Sequence, residues 1–206
     1  MNHPGHRPHH NHRNPDDLDG YIRKMEARER DDWQRPSEIV RALALRPGDT
    51  VADVGAGPGY FTVRIARAVG PAGQVYAVDV VPEMVAVLRE RVDRAGVGNV
   101  TPVLAKDGDP CLPMASCDVV LIVDTFHHFP DGPGYLRVLA RKLRPGGRIV
   151  NVDFHRREMP VGPPIEHKVA REDFLSTARE AGLELVGEKD FLPYQYLVVL
   201  EPARRG

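Results

Sequence analysis

Val51-Ala52-Asp53-Val54-Gly55-Ala56-Gly57-Pro58-Gly59-Tyr60-Phe61 is the stretch on which the reading of this chain turns. A short apolar run carries one acid, three alternating glycines follow, and then a helical pattern begins. That order describes a buried strand that bends sharply into a helix and leaves its backbone bare. Glycine reaches φ values that other residues avoid, and it has no Cβ to hold a ligand off. The helix that follows points free N–H groups and the positive end of its dipole into the turn.

Working outward, the chain repeats the same unit. The expected strands are 51–54, 74–78, 100–104, 118–123 and 148–154, followed by two at 183–191 and 195–201 that read as a hairpin-like pair. Helical patterns lie between them at about 60–69, from Pro82 to a stop at Gly96, 134–143 and 171–181. Arg144-Pro145-Gly146-Gly147 reads as a turn, and 155–164 as an irregular, proline-rich insertion. Upstream, one helix is expected from Leu18 to Asp32, and a second opens at Pro36 and runs through Leu45. Near-continuous apolar strands alternating with helices imply an α/β fold, a Rossmann-like doubly wound sheet. It would have seven strands, mostly parallel with a final antiparallel one, and helices on both faces. Ligands of such sheets bind outside the carboxyl ends of the strands, where strand order reverses.

Composition sets the bounds. The 206 residues suit one domain with a short appendage. They divide into a tail (1–17), a helical segment (18–48) and the α/β domain (49–206). Residues 1–15 hold His3, His6, His9, His10 and His12 among Pro, Asn, Gly and Arg. With nothing to bury, the tail is expected to be disordered. Its histidine spacing matches no compact ligand set, so a flexible polar tail is favoured over a metal-chelating arm, and no metal is expected. A formal net charge of −1 favours no polyanion partner, which counts against nucleic acid. The longest apolar run, Val119 to Val123, cannot span a bilayer, so no membrane partner is expected. Two cysteines outside any CxxC pair fit a reducing compartment, and the default location is the cytoplasm. The oligomeric state has no signature in the chain.

The glycine turn departs from a dinucleotide fingerprint. G-x-G-x-x-G would need glycine at position 60, where Tyr60 stands. Asp53 lies two residues before Gly55, a poor neighbour for a pyrophosphate and a good one for a cation. The expected ligand is therefore a nucleoside without phosphates and with positive charge, held by Gly55, Gly57 and Gly59. Asp79 ends the second strand, twenty residues after Gly59, where an acid can accept hydrogen bonds from both ribose hydroxyls. Val80 would lie against a base. Asp107 or Asp109, after the third strand, could hold an exocyclic amino group or simply form the turn; Asp107 is preferred.

These residues carry a resemblance. Val51 to Gly59 looks like the first motif of class I S-adenosylmethionine-dependent methyltransferases. Val75-Tyr76-Ala77-Val78-Asp79 resembles their second, acidic motif, Cys117 to Val120 through His127-His128-Phe129-Pro130-Asp131 their fourth, and Leu143 to Arg148 the turn before their fifth strand. The similarity is greatest to the small-molecule branch that includes quinone-biosynthesis C-methyltransferases and arsenite methyltransferases. It implies S-adenosylmethionine as cofactor, with Asp53 near the ammonium group, Asp79 on the ribose, and Asp124 and Thr125 beside the methyl group. It also implies a lid before the first motif, which would include Trp33. The acceptor is expected to be a small molecule, although a protein or nucleic-acid methyltransferase and a non-catalytic binding protein are alternatives. Arsenite is not expected, since Cys111 and Cys117 are too few thiolates to hold it. His127 and His128 are the candidate bases, because histidine takes a proton near neutral pH. His155, at the end of the fifth strand, and Tyr194, at the last turn, are candidate substrate-side residues.

Overall fold

The computed structural model describes residues 17–203. Three helices, α1 (Leu18–Met25), α2 (Glu29–Gln34) and α3 (Pro36–Ala42), precede the sheet. The alternating part runs β1 (Thr50–Val54), α4 (Thr62–Val69), β2 (Gln74–Asp79), α5 (Pro82–Ala95), β3 (Val100–Leu104), β4 (Cys117–Val123), α6 (Gly132–Lys142) and β5 (Leu143–Phe154). It closes with α7 (Arg171–Glu180), β6 (Leu183–Lys189) and β7 (Gln195–Pro202). The seven strands lie in the order β3-β2-β1-β4-β5-β7-β6. β7 runs antiparallel between β5 and β6, and the other pairings are parallel. The expected Rossmann-like architecture is thus the observed one.

Side-chain alternation divides the core between the two faces. Val51, Leu121, Val150 and Leu197 pack with Ile39 of α3 and Ile65 of α4. Ala77, on that same face, packs on Leu88 and Val92 of α5. Val54, Val120, Ile122 and Ile149 face the other way, against Leu136 and Leu139 of α6 and Phe174 of α7. Strand order reverses between β1 and β4, which pair with Asp53 opposite Leu121. The register brings the carboxyl ends of β1, β2, β4 and β5 level, so whatever leaves those strands shares one rim.

Several boundaries differ from expectation. The helix expected over 18–32 is two helices. α1 closes at Glu26, whose carboxylate pairs with Arg91 of α5, and Arg30 donates to the carbonyl of Met25 at 2.7 Å. These contacts bend the chain inward over the sheet and override a continuous helical pattern. The second helix stops at Ala42 rather than Leu45, and Ala44 takes a positive φ of 48°. Arg144 to Gly147 is not a free turn. It is a bulge inside β5, which pairs with β4 on both sides of it, Leu143 with Cys117 and Arg148 with Val119. A Cβ on Gly147 would lie 2.9 Å from the Cys117 carbonyl oxygen, so glycine is what lets the bulge press on β4. The histidine-rich tail lies outside the described residues.

Each outer strand is blunted. Val75 donates to the Asn99 carbonyl at 2.8 Å, and Ala105 donates to the Asp79 carbonyl at 2.9 Å. Residues 99 and 105 therefore face β2, and ladder alternation turns the backbone of residues 100, 102 and 104 outward. Pro102 holds the middle of that open edge and has no N–H to offer. On the opposite flank β6 carries an irregularity between Leu185 and Gly187. Among the described residues no helix is long and apolar enough to cross a membrane.

Candidate active site

The turn after β1 is strapped to β2 through the Val78 carbonyl, which accepts from Gly55 at 2.9 Å and Ala56 at 3.0 Å. Gly55 sits at φ 75°, and a Cβ there would lie 2.3 Å from Thr125. Thr125 itself is fixed by donating to the Val123 carbonyl at 2.8 Å, so the turn and the end of β4 touch only because position 55 is bare. A Cβ on Gly57 would lie 3.0 Å from the Met25 methyl of α1. Gly59 packs instead against Leu88 of α5, and it lies outside the cavity described next.

That cavity, about 530 Å³, opens at the level carboxyl ends of the strands. Its wall includes Asp53, Gly55, Gly57, Asp79, Val80, Asp107, Asp124, Thr125, His127 and His128 from the sequence-based candidates. Trp33 joins them from α2, and α1 adds Tyr21 and Met25. The loop after β3 separates its two acids. Asp107 is in the wall, whereas Asp109 accepts from Cys111 N–H at 2.9 Å within its own loop. His155 and Tyr194 lie outside the wall. The His155 ring packs 5.8 Å from Tyr196, and the Tyr194 carbonyl accepts from His155 N–H at 3.0 Å.

Three carboxylates set the electrostatics. Asp53 is 2% exposed, accepts from Thr62 Oγ1 at 2.6 Å, and is pushed up to about 6 by its burial. Asp79 uses one oxygen to accept from Gly57 N–H at 2.8 Å and the other to accept from Val81 N–H at 2.9 Å. It thereby braces the glycine turn. Asp124 has a positive φ of 51° and accepts from Gln34 Nε2 at 2.9 Å and Gln195 Nε2 at 2.7 Å. Burial pushes it up to about 6, against the opposing pull of Arg30. Next along the sheet, Asp153 is wholly buried and is driven well above the usual carboxylate range by burial and by Asp124.

The N-terminal helices roof this rim. Tyr60, the residue standing where a dinucleotide turn would have its last glycine, has its ring between the guanidinium groups of Arg30 (4.1 Å) and Arg64 (4.3 Å). Its hydroxyl donates to Asp31 of α2, and Arg30 donates to Gln34. His127 and His128 stand on a single 3₁₀ turn with ring centroids 4.0 Å apart. Sequence reading missed Arg30, Gln195, Phe154 and Gly162. A buried glutamine such as Gln195 has no local signature, since its burial is decided by a partner 71 residues away. Phe154 was legible only as the apolar end of a strand.

Residues 51–147 match the methyltransferase domain family. The chain is 35% identical over 132 residues to protein-L-isoaspartate O-methyltransferase of Aeropyrum pernix, covering 63% of this chain and 46% of that protein. It is 31% identical over 166 residues to the ubiquinone/menaquinone biosynthesis C-methyltransferase of Ectopseudomonas mendocina, covering 80% and 62%. The fold superposes on an S-adenosylmethionine-dependent methyltransferase from Aquifex aeolicus with TM-score 0.84 and 27% identity, over 88% of this chain and 96% of that one. The chain spans about half the length of the relatives first matched.

Proposed function

Since the chain belongs to the class I S-adenosylmethionine-dependent methyltransferases, we propose that it transfers the cofactor's methyl group to a small-molecule acceptor in the cavity beneath α1 and α2. One observation carries this reading: a bare glycine turn opens onto a roofed cavity whose wall holds four carboxylates, Asp53, Asp79, Asp107 and Asp124. That set of anionic acceptors suits a cationic nucleoside and repels a pyrophosphate. The cradle also fits, because a Cβ at Gly55 would displace Thr125 from the rim.

When bound, S-adenosylmethionine supplies a methyl group on a sulfonium, already activated for in-line displacement. The protein's work is then positioning and exclusion of water. Asp79, in the cavity wall at the end of β2, would hold the ribose. Val80, 36% exposed and in the wall, would lie on the adenine, with Asp107 at its amino group. Asp53 and Asp124 supply negative charge toward the methionine end. His127 and His128 face the same space and would receive a proton from an acceptor that carries one. Trp33 covers the acceptor side. His155 and Tyr194, outside the wall, would act only through their neighbours. With residues 18–48 as its lid, the site favours an acceptor small enough to lie under α1 and α2.

A protein acceptor is the second reading, favoured by the isoaspartyl relatives. Cys111 and Cys117 form no disulfide, which supports a cytoplasmic location. Calorimetry with S-adenosylhomocysteine and with NAD tests the proposal. Tight binding of the first and none of the second is expected, and the reverse would sink it. Release of S-adenosylhomocysteine across a panel of small acceptors, against one of peptides, separates the two acceptor classes.

A further inference from the structure

One side of the cavity wall is aromatic and unusually constrained. Trp33 of α2 and Phe154 at the end of β5 both line it, with ring centroids 5.5 Å apart and planes at 41°. Phe154 is 2% exposed and is held from behind. Lys168, itself 5% exposed, places its Nζ 5.7 Å from the ring centroid while donating to the Arg157 carbonyl at 2.9 Å. Gly162, in the insertion after β5, also lines the cavity at φ 92°. A Cβ there would lie 2.6 Å from Phe154 Cε1 and 2.7 Å from Cζ. Any side chain at 162 must therefore strain the backbone and push the Phe154 ring. The ring is pinned in one pose, and Trp33 packs on it at a fixed tilt.

We propose that the acceptor is a planar aromatic molecule seated on Trp33 where Phe154 backs it, and that Gly162 sets the pose of that seat. The proposal rests on the transferase reading and narrows it. The half-buried Trp33 ring, backed by Phe154, offers flat, polarisable surface, which a planar ring matches by offset stacking or edge contact and a puckered apolar body does not. The residues expected to hold the nucleoside, Asp79, Val80 and Asp107, lie at or beyond the carboxyl ends of β2 and β3, whereas this wall is built by α2 and by β5 on the other side of the strand-order reversal. The two ligands therefore need not compete for it.

Trp33 is the only tryptophan of the chain, so its emission reports the seat directly and no knowledge of the natural acceptor is required. The experiment takes the full chain saturated with S-adenosylhomocysteine, titrates 2-naphthol and, separately, the non-planar decahydro-2-naphthol, and follows Trp33 emission with calorimetry in parallel. Saturable binding of 2-naphthol is expected, with the saturated analogue weaker by about tenfold. Gly162→Ala should weaken 2-naphthol by a similar factor and leave S-adenosylhomocysteine affinity unchanged. Because that variant could disturb the insertion, Phe154→Leu provides a second arm that keeps bulk and removes the ring. Equal affinity for the planar and non-planar alcohols, no saturable response while S-adenosylhomocysteine binds, or unchanged 2-naphthol affinity in either variant would overturn the proposal. Failure of S-adenosylhomocysteine to bind is a different result. It would overturn the transferase reading and, since the seat is argued as its acceptor site, this proposal with it.

Discussion

Asp53 shows what a ligand site asks of a single residue. The sequence placed an acid inside an apolar strand, and the structure buries it under the start of α4 with one hydroxyl partner, Thr62. Its carboxyl is pushed from the ordinary 3.8 up to about 6. A raised acid favours the folded state below the unfolded pKa, and that contribution is lost as pH rises through the folded pKa. At pH 7 the ionised group therefore costs about 3 kcal/mol. Asp53→Asn should raise Tm by several degrees at pH 7, and the gain should vanish by about pH 4. Calorimetric melts at both pH values check this, and an equal gain at both would exclude a charge origin. Asp79 is the converse case. Asp79→Ala removes the acceptor of the Gly57 and Val81 N–H groups as well as the proposed ribose partner. S-adenosylhomocysteine affinity should fall by at least roughly tenfold, in line with the loss of charge-assisted hydrogen bonds. Both acids were legible because acids at strand ends stand out in apolar runs. Their second duties, to Thr62 and to the turn's own backbone, were not, since those partners are set by how the turn closes.

α2 is six residues long, too short to persist alone in water, and is held by what it touches. Tyr60 anchors it through Asp31 and through Arg30 on the ring face, while Gln34 ties its end to Asp124. The departure from a dinucleotide fingerprint at position 60 thus has a structural purpose, the clasping of the roof to the turn. Tyr60→Phe keeps the ring between the two guanidinium groups and removes the bond to Asp31. Dissociation of S-adenosylhomocysteine should speed up about fivefold, the effect of one hydrogen bond, without loss of fold by circular dichroism; stopped-flow chase experiments measure it. An unchanged rate would mean that α2 does not gate the cavity. The strands and the helices α4 to α7 could be read from apolar periodicity because each buries one stripe on the sheet. The break between α1 and α2 could not, because it depends on side-chain contacts that periodicity does not encode, Arg91 of α5 with Glu26 and Arg30 with the Met25 carbonyl. The bulge at Arg144 to Gly147 was misread for a similar reason. Proline and glycine announce a bend, but only the pairing of Leu143 with Cys117 shows that the strand continues through it.

At the scale of the molecule, strand order could be anticipated only in part. Alternating units imply a parallel sheet, whereas the insertion of β7 between β5 and β6 depends on which edges remain open. The same question of open edges gives the last prediction. Pro102→Thr restores an N–H at the centre of the outward edge of β3, and it should increase self-association at high concentration, measured by sedimentation velocity. An unchanged monomer-to-oligomer ratio would show that the flank is protected by its twist or charge instead. The missing hydrogen at Pro102 also bears on the order in which the chain is made. Residues up to 104 leave the ribosome before β4, so a three-strand half, β1 to β3, can exist for a time without its central partner. That nascent half has one adhesive flank where an unmarked strand would have given it two. The flank left adhesive is the side of β1 that β4 must find, so the proline directs the next strand of the same chain to its place.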